Sequence, residues 1–186
     1  GTGLALIAIV LSMLVVAGLN LKTLVKVTGV LLVIGLLMIV SAPHRMERVT
    51  TFFGAHQDSS KRSTDDNDYH IHNAMIALGT GGLFGLGIGN SIQATGYLPE
   101  AINDSVFAIL GEMFGLVGVC IILGIFTALL MRLLRIIDRL PDMSMRLVVA
   151  GVFGWLAAHV VLNVASMTGV VPLTGITLPL LSFGGT

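Results

Sequence analysis

The sequence predicts an all-α, polytopic transmembrane helix bundle with one large extracytoplasmic loop. Of its 186 residues, 55% are hydrophobic and only 11% are charged, whereas a soluble domain carries about 25% charged residues. The apolar residues also occur in long runs, separated by short basic stretches and one long polar segment. The basic and acidic residues balance at 10 each, so the net charge gives no information about nucleic acid, and we expect no such partner.

Two further features of the sequence are its single cysteine and the way it begins and ends. The single cysteine, Cys120, lies inside an apolar run, which excludes a disulfide framework. The chain starts within a hydrophobic segment at Gly1, with no initiating Met and no signal-peptide pattern, and it stops abruptly at Thr186. We therefore expect a fragment of a larger protein.

Four apolar runs approach or reach the roughly 20 residues that a membrane-crossing helix needs. We predict transmembrane helices over residues 3–19, 24–41, 105–134 and 147–167. The second ends before Pro43, since proline cannot continue a helix and disfavours helical angles in the residue before it.

The orientation follows from the basic residues near the helix ends. Lys22 and Lys26 fall in one predicted short loop, and Arg132, Arg135, Arg139 and Arg146 cluster in another. By the positive-inside rule both loops are cytoplasmic. Residues 43–104 and 169–186 are then predicted to lie outside the membrane as two loops.

The long loop has a polar part and a glycine-rich part. Residues 57–68 are solvated in character. Asp66, Asp68, His70 and His72 alternate and could share one face as metal ligands, but without a fixed frame a solvated loop is favoured. In the segment 73–89, Gly81, Gly85 and Gly89 are spaced by four and would share one helix face, as a packed or a re-entrant segment. Its glycines match no nucleotide-binding pattern.

Two acids stand out at or beyond the start of the third predicted helix. Asp104 could be the N-cap of that helix or a general base at the membrane surface, and one position allows both roles. Glu112 lies two turns further along, where an acid is either paired within the bundle or functional.

Other polar residues carry two interpretations each. His159 and Asn163 form an i, i+4 pair on the last predicted helix, where polar contacts between helices are favoured over substrate binding. Arg45 and Arg48 follow the second helix and could bind lipid headgroups or a diphosphate.

Two blocks of sequence closely resemble the signature loops of the SEDS family, the FtsW/RodA/SpoVE-like proteins of bacterial division, elongation and sporulation. The first block comprises Gly87-Ile88-Gly89-Asn90-Ser91-Ile92-Gln93, Tyr97-Leu98-Pro99-Glu100-Ala101, Asp104, Phe107-Ala108 and Gly111-Glu112. The second comprises Asn163, Gly169, Pro172-Leu173-Thr174-Gly175, Leu178-Pro179 and Ser182-Phe183-Gly184-Gly185-Thr186. The blocks occur in order and, with Gly79 to Gly82, Arg45 and Arg48, extend the resemblance over essentially the whole chain.

The resemblance implies a ten-helix protein of the bacterial inner membrane, of which this chain covers about the sixth to ninth helices. It implies a peptidoglycan glycosyltransferase that polymerises lipid II into glycan strands, with Asp104 as the catalytic base and a division role slightly favoured over elongation. As substrate-binding residues it implies Arg45, Arg48, Glu100, Glu112, Asn163, Thr174, Ser182, Gly184 and Gly185.

The implied partners are a class B penicillin-binding protein and other divisome or elongasome membrane proteins. No cofactor is certain: no metal-ligand set is assigned, and a divalent cation, Mg²⁺ or Mn²⁺, stays open opposite the diphosphate. Two alternatives to the transferase are a lipid II flippase and a non-catalytic scaffold. A flippase needs polar groups along a path through the bilayer, and only Glu112, His159 and Asn163 are candidates, so the enzyme is favoured.

Overall fold

The computed structural model describes residues 2–40, 74, 76–77, 79–87, 106–172 and 175–182. Within these ranges the long elements are α1 (Thr2–Val16), α2 (Leu21–Val40), α3 (Val106–Arg139) and α4 (Met143–Met167). The described residues between 74 and 80 are helical too, and no strand occurs in this part of the chain. The predicted all-α class is confirmed.

Two of these helices have the dimensions of membrane spans. By length and composition, α3 with 34 residues and α4 with 25 are long and apolar enough to cross a bilayer. The 15-residue α1 is apolar but shorter. In the most apolar stretch of each candidate span only 11% of the residues of α3 and 28% of those of α4 are buried within the described chain, so both helices leave apolar surface for lipid or for further helices.

α1 ends earlier than the sequence indicates, at Val16 rather than at residue 19. Gly18 adopts φ +76°, its amide donates to the carbonyl of Val15 at 3.1 Å, and the Leu19 amide donates to the carbonyl of Leu14 at 3.4 Å. This is a Schellman arrangement, in which a left-handed glycine satisfies the last carbonyls of the helix.

α2 then begins at once. The carbonyl of Asn20 accepts hydrogen bonds from the amides of Thr23 and Leu24, at 2.9 and 3.0 Å, so the first turn forms directly after the cap of α1. Lys22 and Lys26 therefore lie on α2, and the prediction of a loop around them is wrong.

The connection between α3 and α4 is also shorter than predicted. α3 continues to Arg139 and α4 starts at Met143. The side chain of Asp142 caps α4 by accepting a hydrogen bond from the Ser144 amide at 3.2 Å. The cationic cluster predicted in a loop is thus helical: Arg132, Arg135 and Arg139 belong to α3, and Arg146 belongs to α4.

The described helices pack in the spatial order α2–α1–α4–α3, which differs from their order along the chain. At the α1–α4 contact, Ala150, Gly154 and Ala158 are buried at intervals of four residues on α4. The Ser12 hydroxyl of α1 donates to the carbonyl of Ala150 at 2.7 Å. Small residues at this spacing let two helix backbones approach closely, which is how helices associate in a membrane without a hydrophobic driving force.

The hydrophobic core lies where the start of α3 meets the end of α4. It also takes in residues from the segment before α3 and from the segment after α4. Its buried members are Ala74, Ala77, Phe107, Ala108, Phe126, Val160, Met167 and Leu178. The core therefore joins α3 and α4 to residues of both predicted outer loops, Ala74 and Ala77 of the first and Leu178 of the second.

Candidate functional site

Three of the predicted site residues, Glu112, Asn163 and Ser182, lie within the described ranges. The alternating Asp66, Asp68, His70 and His72 lie outside them. So do the remaining predicted site residues, which are Asp104, Arg45, Arg48, Glu100, Thr174, Gly184 and Gly185.

The predicted catalytic segment, which contains Asp104, is followed in sequence by the start of α3. The helix begins at Val106, and Phe107 and Ala108 in its first turn are 2% and 0% exposed. Both belong to the hydrophobic core. The position two residues after Asp104 in sequence is therefore anchored against α4 by packing, whichever role that acid takes.

Glu112 is buried within the helix bundle, at 1% exposure. Its backbone carbonyl accepts a hydrogen bond from the Leu86 amide at 2.9 Å, so the segment 81–87 runs against this turn of α3. A carboxyl group in such a position requires a polar partner or a protonated state.

α3 is broken at Gly115, which has φ +65° and ψ −166°, a conformation that only glycine adopts readily. The broken backbone is satisfied by the segment 81–87. The carbonyls of Glu112 and Met113 accept from the amides of Leu86 and Gly87 at 2.9 and 3.1 Å. In return, the carbonyls of Gly82 and Leu83 accept from the amides of Leu116 and Val117, at 2.9 and 3.2 Å.

These reciprocal bonds explain how the break can exist inside an apolar helix. Non-helical backbone at membrane depth is tolerated only where protein groups satisfy its amides and carbonyls. The contact also requires glycine on both sides, since a Cβ on Gly115 would meet the backbone of Gly85 and Leu83, and a Cβ on Gly85 would meet the Met113 carbonyl.

The break differs from the sequence-based expectation in two respects. The prediction of one continuous helix over residues 105–134 is wrong at Gly115, and the prediction that Gly81 and Gly85 share one helix face is wrong as well. Gly85 has φ +79° and lies beyond the helical residues, which end at Thr80; Gly89 lies outside the described ranges. The signal that could have indicated the break is the excess of glycine in both segments, since glycine is needed for positive φ and for close backbone approach.

Asn163 is completely buried on α4, and its side-chain amide donates to the backbone carbonyl of Ile176 at 2.7 Å. It thus joins α4 to the segment that follows the helix. Ile176 belongs to the segment 175–182 and not to another helix, so this bond does not test the predicted polar contact between helices, which stays a prediction.

His159 is oriented within its own helix. Its Nδ1 lies 2.9 Å from the carbonyl of Trp155, and the two aromatic rings are 4.7 Å apart between centroids. The i, i+4 spacing of His159 and Asn163 places them on one face, yet His159 bonds to a carbonyl of α4 and the Asn163 amide bonds to the segment after it.

Ser182 closes a compact turn. Its hydroxyl accepts from the Leu178 amide at 2.9 Å, and its own amide donates to the Leu178 carbonyl at 3.0 Å. Leu178 is 1% exposed and belongs to the core. Between them, Leu180 has φ +68°, which is costly for a residue with a branched side chain.

The described parts of the site therefore form one packed and hydrogen-bonded frame. The start of α3, the segment 81–87 and the turn at 175–182 are held by packing and by backbone hydrogen bonds. Among the described residues, no group of three or more His, Cys, Asp or Glu side chains could hold a metal ion. Such a frame holds the points of the chain from which both predicted loops continue.

The whole chain, residues 1–186, matches the family of cell cycle proteins that comprises FtsW, RodA and SpoVE. The chain is 37% identical over its full length to "Stage V sporulation protein E" of Bacillus subtilis, of which it covers 49%. It is 38% identical over 185 residues to "Probable peptidoglycan glycosyltransferase FtsW" of Coxiella burnetii, covering 94% of this chain and 46% of that protein. The chain thus spans about half the length of the curated relatives it matches.

A solved structure shares the fold. It is described as "Structural coordination of polymerization and crosslinking by a peptidoglycan synthase complex", and one of its chains matches 98% of this chain and 49% of its own length, with a TM-score of 0.70 and 28% identity. The resemblance expected from the two signature blocks is confirmed. The chain is a helical membrane segment that belongs to the FtsW/RodA/SpoVE family of cell cycle proteins.

Proposed function

We propose that the full-length protein is a peptidoglycan glycosyltransferase that polymerises lipid II into glycan strands, in division rather than elongation. The names of its relatives support this, because several of them are called probable peptidoglycan glycosyltransferase FtsW. We further propose that the protein resides in the bacterial inner membrane, with residues 43–104 and 169–186 on the extracytoplasmic side.

In the proposed reaction, Asp104 is the general base. Its carboxylate takes the proton of the acceptor sugar hydroxyl, the resulting oxygen attacks the anomeric carbon of the donor, and the bond to undecaprenyl diphosphate breaks. A base must lie within hydrogen-bond reach of the hydroxyl that it activates. The diphosphate leaves with more negative charge than it had in the substrate, and the guanidinium groups of Arg45 and Arg48 are the proposed counter-charges.

The observation that carries this proposal is the anchored start of α3 beside Asp104. Phe107 and Ala108 are buried in the core, so the chain is held by packing from the third residue after the acid onward. Catalytic groups lose rate when they are misplaced by about 1 Å, so a base benefits from such a support. The first amides of a helix also favour a negatively charged side chain over a protonated one.

The turn at 175–182 supports the second loop in the same way. Asn163 bonds to Ile176 and Ser182 bonds to Leu178, on either side of the buried Leu178. We propose that these bonds position the substrate-binding residues of this loop, Thr174, Gly184 and Gly185. A divalent cation at the diphosphate stays a proposal, and no step of the proposed reaction passes through it.

We also propose a class B penicillin-binding protein as partner, together with other divisome membrane proteins. The solved relative supports this, since its description joins polymerization and crosslinking in one complex. Crosslinking of new glycan strands requires a transpeptidase next to the polymerase, and the proposed transferase chemistry supplies none.

The test uses the full-length protein, purified with its partner and supplied with labelled lipid II. The variant Asp104→Asn keeps the shape of the side chain and removes the base. A matched control is Asp138→Asn, which removes an exposed acid at the other end of α3. Glycan polymer from the wild type and the control, but none from folded, partner-bound Asp104→Asn, supports the transferase.

Two outcomes count against the proposal. Equal polymer from Asp104→Asn and wild type would remove Asp104 from the mechanism. No polymer from any variant, combined with transfer of labelled lipid II across vesicles, would identify a transporter; recruitment of the partner alone would identify a scaffold.

A further inference from the structure

The last turns of α3 carry a cationic face. Arg132, Arg135 and Arg139 lie three and four residues apart on the helix, a spacing that puts side chains on one face. In the loop that the sequence predicts for these residues, their relative positions would vary. Because α3 extends to Arg139, the three guanidinium groups instead have a fixed order along the helix axis.

This face lines an open cavity of about 680 Å³, which is apolar at one end and cationic at the other. The apolar end is formed by Ala128 and Leu129, and Ile136 lies among the arginines. The full set of lining residues is Ala128, Leu129, Arg132, Arg135, Ile136 and Arg139. From Ala128 to Arg139 the helix rises by about 16 Å, so the cavity runs along the axis of a candidate span and changes from hydrocarbon-like to charged.

The charge of the face is not balanced from within. All three arginines are exposed, and none of them forms an ion pair with another residue of the described ranges. Asp138 also belongs to α3 but does not line the cavity. Arginines near a helix end also serve as topology signals. That role alone requires neither a shared helix face nor an apolar surface next to the charges.

We propose that this cavity binds an anionic phospholipid of the cytoplasmic leaflet. The phosphate lies against Arg132, Arg135 and Arg139, whose planar guanidinium groups donate paired hydrogen bonds to phosphate oxygens. An acyl chain lies along Ala128 and Leu129. Basic pockets on the cytoplasmic side of membrane helices bind such headgroups. An acidic peptide would match the charges but not the apolar end, which lies deeper along the span.

The experiment measures binding of fluorescent phosphatidylglycerol to the full-length protein in neutral detergent micelles. The test variant changes Arg132, Arg135 and Arg139 to Gln. The control changes Lys22, Lys26 and Arg146 to Gln, which removes the same number of charges from residues that do not line the cavity. We expect the test variant to bind at least about tenfold more weakly and the control to change less than about twofold.

A second variant keeps every charge. Leu129→Asn makes the apolar end polar and should weaken long-chain phosphatidylglycerol binding several-fold, whether or not the triple variant folds. Three results overturn the proposal: equal losses in the test and control variants, unchanged binding by Leu129→Asn, or displacement of the lipid by soluble glycerol phosphate at equal concentration. The last would show that the cavity recognises phosphate alone.

Discussion

The side-chain amide of Asn163, on α4, donates a 2.7 Å hydrogen bond to the backbone carbonyl of Ile176, thirteen residues further along the chain. Asn163 is fully buried and Ile176 is 5% exposed. The bond therefore holds the segment 175–182 against the end of α4 without access to water. It makes Asn163 a positioning residue for the second loop, whatever else that side chain contacts.

Asn163→Leu tests this role. The substitution keeps the side-chain volume but removes the donor, and a buried carbonyl left without its donor costs about 1–3 kcal/mol. We expect a lower melting temperature in detergent and faster proteolysis within residues 175–182. Thr168→Ala is the control, because that exposed hydroxyl bonds only to carbonyls of its own helix within the described chain. Equal proteolysis of the two variants would contradict the role.

The break in α3 makes a prediction about glycine. Gly115→Ala should destabilise the protein by about 3 kcal/mol or more, because alanine is strained at φ +65° and its Cβ meets the backbone of Leu83 and Gly85. Gly124→Ala is the matched control on the same helix, with nothing within 4 Å of the added Cβ. It should be neutral or stabilise by up to about 1 kcal/mol. Thermal unfolding measures both, and similar melting temperatures would show that the break is dispensable.

The α1–α4 contact gives a second glycine pair. At Gly154 an added Cβ meets the Ser12 hydroxyl and, at 2.7 Å, the Ala8 carbonyl. At Gly151 the nearest atom is the Met13 sulfur at 3.6 Å, an ordinary contact.

We therefore expect Gly154→Ala to cost about 1–3 kcal/mol, since backbone must move to accept the methyl group. Gly151→Ala should cost nothing or stabilise α4, because alanine is the better helix former. Chemical denaturation in mixed micelles compares the two variants. A larger loss from Gly151→Ala would mean that α1 and α4 cross elsewhere.

The turn closed by Ser182 predicts an unusual benefit from glycine. Leu180 has φ +68° and is 72% exposed, so Leu180→Gly relieves backbone strain of about 1–2 kcal/mol and loses little burial. Its melting temperature should stay the same or rise.

Leu181→Gly, at the next position, is the control and has no left-handed conformation to relieve. It should destabilise by about 1 kcal/mol. If both variants lose the same stability, the strain at Leu180 is absent in solution. If Leu180→Gly is stable but makes less polymer, the strained turn serves the proposed reaction.

The class of this protein follows from its amino-acid sequence alone. Long apolar runs with few charges can persist only as membrane helices, and that property depends on neighbouring residues alone. The same local information placed the start of α3 and the end of α4 within one residue and identified Glu112 and Asn163 as candidate site residues, whereas Ser182 was implied by the resemblance to the family. The observed helix ends differ from the predicted ones where a capping residue sets them, at Gly18 after α1 and at Asp142 before α4.

Which residues contact each other depends on how the helices pack. Gly85 and Gly115 contact through their backbones although thirty positions separate them, and α4 packs between α1 and α3 rather than beside α2. The partner of the Asn163 amide and the shared face of the three arginines likewise follow from where helices end and cross. Such contacts cannot be predicted from a single sequence, because their free energy depends on how distant segments are placed relative to each other and not on the composition of each segment.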